Sequence, residues 1–169
     1  DRRRLLRDAQ NEYGFDSGGK VLNGADSEIS WAMARGIGPD RYASAARRAG
    51  RRPHGGVDTM ERIFEGYAAV KRKRGVVDFD DVLLEVLRNA ANDADFADVL
   101  RWRFRHLLVD EAQDLNPVQH RIVDLLRTGR DDLFLVGDPA QAVYGFNGAD
   151  PSLLIDVETR FPGVEVVRL

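Results

Sequence analysis

Two acidic residues stand together at Asp110-Glu111, directly after the apolar run Leu107-Leu108-Val109. A short buried strand ending in adjacent carboxylates can present both at one edge. One carboxylate suits Mg²⁺, which takes hard oxygen ligands and keeps several of its waters. The other can orient or deprotonate a water that attacks a phosphate. Asp110 fits the metal role and Glu111 the base role. The competing reading is that these acids only cap the following helix. Asn116-Pro117 already supplies that N-cap and first-turn pair, which favours chemistry.

A second apolar run, Leu133-Phe134-Leu135-Val136, leads into Gly137-Asp138-Pro139-Ala140-Gln141-Ala142-Val143-Tyr144-Gly145-Phe146-Asn147-Gly148. The amide of Gln141 can read a phosphate or the attacking water. Tyr144 and Phe146 alternate by two and can offer flat faces to unpaired bases; packing in a core serves such rings equally well. Gly14 to Val21 nearly matches the phosphate-cradling pattern G-x-x-x-x-G-K-[ST], with Lys20 in the lysine position. Val21 has no hydroxyl to offer Mg²⁺, and Leu5 to Tyr13 before it has helical rather than strand periodicity. A glycine-rich connection between helices is the better reading of that segment.

These residues need elements to hold them. In residues 1 to 75, helical spacing recurs at Leu5, Leu6, Ala9 and Tyr13. It recurs at Ile29, Ala32 and Met33 behind a Ser27 cap, and between Pro39 and Gly50. The cleanest stripe is Met60, Ile63, Phe64, Tyr67 and Val70, ending in Lys71-Arg72-Lys73-Arg74 at the negative end of the helix dipole. Beyond Gly75 the pattern changes. Asp78 can cap a helix with Val82, Leu83, Val86 and Leu87 on one face, and Phe96, Val99 and Leu100 suggest another short one. The runs at 107–109, 133–136 and 164–167 then alternate with helices starting at Pro117 and Pro151. Apolar strands alternating with helices predict a parallel sheet covered on both faces, with right-handed crossovers. Ligands of such sheets lie beyond the carboxyl ends of the strands, where Asp110 and Gln141 fall.

Composition bounds the rest. The 169 residues include no cysteine, which excludes a disulfide scaffold, a zinc ribbon and a thiol nucleophile. No apolar run is long enough for a membrane span, and no signal-peptide core follows Asp1-Arg2-Arg3-Arg4, so the expectation is a soluble, cytoplasmic protein. The net charge of −3 is split. Residues 1 to 75 carry 16 basic and 10 acidic residues, a balance of +6, and residues 76 to 169 carry 9 and 18, a balance of −9. All but three of the 25 basic residues are arginine, which suits phosphate recognition and also follows from a G+C-rich genome.

Leu107 to Asp114 resembles motif II, the Walker B motif, of the UvrD/Rep/PcrA-type superfamily 1 DNA helicases. Leu135 to Ala149 resembles their motif III, in the same order and at similar spacing. Val77-Asp78-Phe79-Asp80-Asp81-Val82-Leu83 is similar to the segment preceding motif II. Phe161-Pro162-Gly163 with Val166-Val167-Arg168-Leu169 looks like the lead-in to motif IV. The resemblance is strong over residues 76 to 169. Residues 1 to 75 resemble the helical insertion subdomain 1B by position and helicity only.

The resemblance implies an α/β fold: a helical subdomain at 1–75, then at 76–169 a partial RecA-like parallel sheet of the P-loop NTPase type that lacks its P-loop strand. Asp110 would hold Mg²⁺-ATP, Glu111 would activate the hydrolytic water, and Gln141 would sense the γ-phosphate. Tyr144, Phe146 and Asn147 would contact single-stranded or partly duplex DNA, with the basic helical part adding backbone contacts. The family usually has Trp where Phe146 stands, Arg where Asn147 stands, and Ser where Ala142 stands. The expected function is a fragment of an ATP-dependent DNA helicase or translocase, of the kind used in DNA repair, inactive without the rest of its chain. The alternative is a non-catalytic nucleic-acid-binding or protein-interaction module. A Mg²⁺-dependent phosphohydrolase uses the same carboxylates but lacks an evident nucleophile or strand-end lysine.

Overall fold

The computed structural model describes residues 2–15, 19–142 and 148–168. It divides into two compact units, Asp1–Val82 and Leu83–Leu169. No helix of the described residues is long and apolar enough to cross a membrane.

The first unit is helical: α1 (Arg2–Tyr13), α2 (Gly19–Met33), α3 (Pro39–Arg48) and α4 (Val57–Arg74), with the start of α5 (Phe79–Asn92). α4 is its axis, packing against α1, α2 and α3. Its stripe of Met60, Ile63, Phe64, Tyr67 and Val70 is buried. Tyr42 of α3 stands edge-on to both Trp31, at 6.4 Å, and Phe64, at 6.2 Å. Gly75 adopts φ 61° to end α4, a left-handed conformation that glycine takes without a Cβ penalty. Pro39 opens α3 behind Gly38, and Asp78 caps α5, as their residue types predict. Ser27 does not start a helix. It lies inside α2, because Val21 to Asp26 is already helical and the pattern from Ala25 through Ile29 to Met33 is continuous.

Two polar clusters are enclosed in this unit. Glu28 is buried and accepts from the Tyr42 hydroxyl at 2.7 Å and from Arg51 Nε and Nη2 at 2.8 and 2.7 Å. The same guanidinium lies 4.5 Å from the centroid of Trp31. Burial alone would raise the Glu28 carboxyl, but bonds from Arg51 and Tyr42 hold it below the usual carboxylate range. The second cluster is built on Lys71, also buried. Its ammonium bridges Asp78 at 3.1 Å and Asp81 at 2.5 Å, and lies 4.6 Å from the Tyr67 ring centroid. Asp78 and Asp81 cap each other reciprocally: each carboxylate accepts the other's backbone N–H, at 2.9 and 2.8 Å. Arg2 joins through Asp80 at 2.5 Å. A buried cation with two hydrogen-bonded carboxylates locks the end of α4 to the beginning of α5.

The second unit holds the rest of α5, then α6 (Ala94–Arg103), β1 (Leu107–Val109), α7 (Pro117–Arg127), β2 (Leu133–Leu135), α8 (Ser152–Ile155) and α9 (Val157–Arg160). Asp93 caps α6 through the Phe96 N–H, and Asn116 with Gln119 forms a complete capping box at α7. Arg130 fixes the far ends of both helices. Its guanidinium donates to the carbonyls of Arg101 at 2.8 Å and Leu126 at 2.6 Å, groups left without intrahelical partners.

β1 and β2 pair in parallel, Leu107 with Leu133, Leu108 with Phe134 and Val109 with Leu135. Two expectations are corrected here. The strands are not covered on both faces: Leu108 is 77% and Phe134 62% exposed, while their neighbours on the opposite face are half-buried. Successive side chains alternate between faces, and the described helices cover one. Val164–Val167 is not a strand. The Val164 N–H is spent on the Phe161 carbonyl in the turn at Pro162-Gly163, and no partner strand lies beside the segment among the described residues. The helix expected from Pro151 is also broken, into α8 and α9.

The Lys71 cluster makes the first unit acid-sensitive. Burial would raise the Asp78 carboxyl, but the Tyr67 hydroxyl, the Asp81 N–H and Lys71 outweigh it and hold it at about 2, against an ordinary 3.8. A depressed folded value contributes stability that is full above the unfolded value and is lost as pH falls from about 4 towards 2. Its contribution at neutral pH is about 1–2 kcal/mol. Asp78→Asn should flatten the fall of the denaturant midpoint between pH 4 and 2. A fall as steep as in the unsubstituted protein would remove Asp78 from this role.

Candidate functional site

The parallel register brings the carboxyl ends of β1 and β2 side by side. Beyond the strands the ladder continues through the Val136 N–H to the Val109 carbonyl and the Ala112 N–H to the Val136 carbonyl, both at 2.8 Å. Asp110 and Glu111 therefore sit next to Gly137 and Asp138.

Between those two bonds the backbone at Glu111 turns to φ 51°, ψ 43°. It is the one non-glycine residue with positive φ among the described residues. A side chain in this left-handed region costs about 1–2 kcal/mol. Here the turn does two things. It lifts the Glu111 side chain to the exposed edge, and it folds Ala112–Asp114 back as a 3-10 turn closed by the Asp114 N–H on the Glu111 carbonyl at 2.9 Å. Ala112 and Gln113 are thereby buried, whereas Asp110, Glu111, Asp138 and Gln141 are exposed.

The side chains join the two strand ends. Asp110 Oδ1 accepts the Glu111 N–H at 2.9 Å. Gln113 Nε2 donates to Glu111 Oε2 at 2.6 Å, and Gln113 Oε1 accepts the Asp138 N–H at 3.0 Å. Asp138 Oδ1 accepts the Ala140 N–H at 2.9 Å, and its Oδ2 accepts from Gln141 Nε2 at 2.8 Å. Those bonds, Gln141 first and Ala140 second, hold the Asp138 carboxyl below its usual range. Glu111 and Gln141 are thus linked through Gln113 and Asp138.

Three of the residues singled out by sequence, Asp110, Glu111 and Gln141, meet at this edge. Tyr144, Phe146 and Asn147 lie outside the described residues. The chain resumes at Gly148, and the Asp150 N–H donates to the Leu115 carbonyl at 3.1 Å, which seats this end of the loop against the 3-10 turn. The near-match at Gly14–Val21 lies between α1 and α2, with a helix rather than a strand before it.

Sequence patterning assigns no role to Gln113 or Asp138. A signal exists for each. An uncharged amide two residues after Glu111 is placed to return under it once a turn intervenes, and Asp before Pro is a cap for a short turn. The left-handed backbone at Glu111 has no such signal, because glutamate does not favour it.

A family model described as UvrD/REP helicase N-terminal domain matches residues 28–162. The ATP-dependent DNA helicase UvrD2 of Mycobacterium tuberculosis is 42% identical over 145 residues, covering 84% of this chain and 21% of that protein. An ATP-dependent helicase/nuclease of Exiguobacterium sibiricum is 39% identical over 115 residues, covering 64% of this chain and 10% of that protein. The ATP-dependent helicase/nuclease of Staphylococcus epidermidis is 37% identical over 109 residues, covering 60% and 9%. The chain spans about a fifth or less of the length of these curated relatives. With most of its residues inside the family match, the chain belongs to the UvrD/REP helicase N-terminal domain family.

Proposed function

We propose that this chain supplies the hydrolytic and phosphate-sensing edge of an ATP-dependent DNA helicase or translocase, acting within a longer polypeptide. The observation that carries the reading is the parallel register, with Asp110 and Glu111 at one strand end beside the turn bearing Gln141 at the other. The helicase relatives from Mycobacterium tuberculosis and Exiguobacterium sibiricum support the reaction class.

The donor set fits magnesium. Among the described residues no group of three or more acidic or histidine side chains could hold a metal ion. An ion beside Asp110 would therefore complete its shell with water and phosphate oxygens, as Mg²⁺ does when it accompanies a nucleotide. Bound Mg²⁺ would neutralise charge developing on the transferred phosphoryl group. The protein's part is to hold and to move protons. Asp110 is the carboxylate that would hold the ion. Glu111, exposed at the strand edge, takes the proton of the attacking water. Gln141 exchanges its bond to Asp138 for one to the nucleotide, and so reports occupancy to the loop that follows.

That loop would bring Tyr144 and Phe146 to single-stranded DNA by stacking, with Asn147 beside them. Residues 1–75 form the basic helical subdomain of the 1B kind and add phosphate contacts that weaken with salt. Residues 76–169 form part of a RecA-like ATPase domain.

Glu111→Gln keeps the shape and removes the base. In the complete protein it should leave ATP binding intact and lower turnover by about 10²- to 10⁴-fold. Turnover at the unsubstituted rate would remove Glu111 from this role. The 169-residue chain by itself should show no DNA-stimulated ATP hydrolysis, because a nucleotide gripped by Asp110 and Glu111 alone has neither a phosphate cradle nor a cationic clamp. Stimulated hydrolysis by the isolated chain would contradict this assignment of parts.

A further inference from the structure

We propose that Gln113 is the positioning residue for Glu111. Its amide clamps the base to the backbone of the Gly137-Asp138 turn, so that the attitude of the Glu111 carboxylate follows the turn that carries Gln141. The inference rests on the role proposed for Glu111 above.

Four observations carry it. Gln113 is 1% exposed within an edge whose other polar residues face solvent. A buried amide must be bonded at both ends, and this one is, at 2.6 and 3.0 Å. Only one orientation of the amide serves both partners, since a peptide N–H can only donate and an ionised carboxylate can only accept. The clamp is also fitted sterically. A Cβ added at Gly137 would lie 2.6 Å from Gln113 Oε1, 2.8 Å from Leu154 Cδ2 and 3.1 Å from the Ala112 nitrogen. Glycine at 137 leaves the room the amide occupies. Finally, the Asp138 whose N–H is held by Gln113 is the residue whose carboxylate holds Gln141.

The geometry distinguishes this role from simple packing. Gln113 presents its donor to the base and its acceptor to the opposite strand end. A substitution can remove one half and keep the other. Gln113→Glu retains an acceptor for the Asp138 N–H, loses the donor, and sets a second carboxylate against Glu111. Gln113→Met keeps length and apolar packing and loses both bonds.

The test uses the complete protein, with thermal melting to verify folding, fluorescent-ATP titration for affinity, steady-state ATPase kinetics against pH, and hydrogen exchange at the Asp138 amide. In Gln113→Glu the amide should stay protected and ATP affinity should be retained. Its kcat should fall roughly ten- to a hundredfold, the scale of a misplaced catalytic group. The acidic limb of its kcat profile should move to higher pH, because a neighbouring carboxylate disfavours ionisation of Glu111. In Gln113→Met the Asp138 amide should exchange faster and kcat should fall without a matching change in KM. A folded Gln113→Glu protein with unchanged kcat and an unshifted acidic limb would overturn the proposal. So would a Gln113→Met protein whose Asp138 amide stays protected. Glu111→Gln run alongside separates the two readings. Lost turnover there with unaffected Gln113 variants rejects the clamp alone, whereas unaffected turnover there rejects the role of Glu111 itself.

Discussion

Parallel pairing of two three-residue strands is the constraint on which the candidate site depends. Because β1 and β2 run the same way, both carboxyl ends emerge at one edge, and whatever follows each strand is forced to be a neighbour of the other. An antiparallel pair would have put Asp110 beside the start of its partner, away from Gln141. The pairing is short, and its extension through Val109, Val136 and Ala112 is possible only because Glu111 accepts a left-handed backbone. Strain at that residue is balanced by the bonds around it: the ladder on one side, the closed 3-10 turn on the other, and the Gln113 amide beneath.

The same logic governs the rest of the chain. Among the described residues few polar groups are enclosed, and the enclosed ion pairs are completed by hydrogen bonds. Glu28 is matched by Arg51 and Tyr42, and Lys71 by two aspartates. Such pairs contribute little net free energy relative to apolar residues, but breaking one leaves a buried charge, so they fix which helix ends meet. Arg130 performs a related task without a carboxylate, by gathering the orphan carbonyls of two helices.

Much of this was legible in the sequence, because it follows from local rules. Asn116-Pro117 dictates a helix start, Gly75 a helix end, and the apolar runs at 107–109 and 133–135 are strands whose polar sequels carry the chemistry. The resemblance of those sequels to helicase motifs gave the family. What was hidden depends on three-dimensional partners. Val164–Val167 has a strand's composition, yet its first N–H is committed to a turn. The bare face of Leu108 and Phe134 cannot be read from two apolar runs that look alike on both faces. Gln113 has the composition of a surface residue, and only the fold beneath Glu111 makes it a buried clamp.

The most direct test of the central claim is a crystal structure of the complete protein with Mg²⁺ and a non-hydrolysable ATP analogue. The account predicts the ion and its waters against the Asp110 carboxylate, with the terminal phosphate facing Glu111 and Gln141 at the shared edge of β1 and β2. Terminal phosphate and ion bound away from that edge, for example with both at the Gly14–Val21 connection, would contradict it.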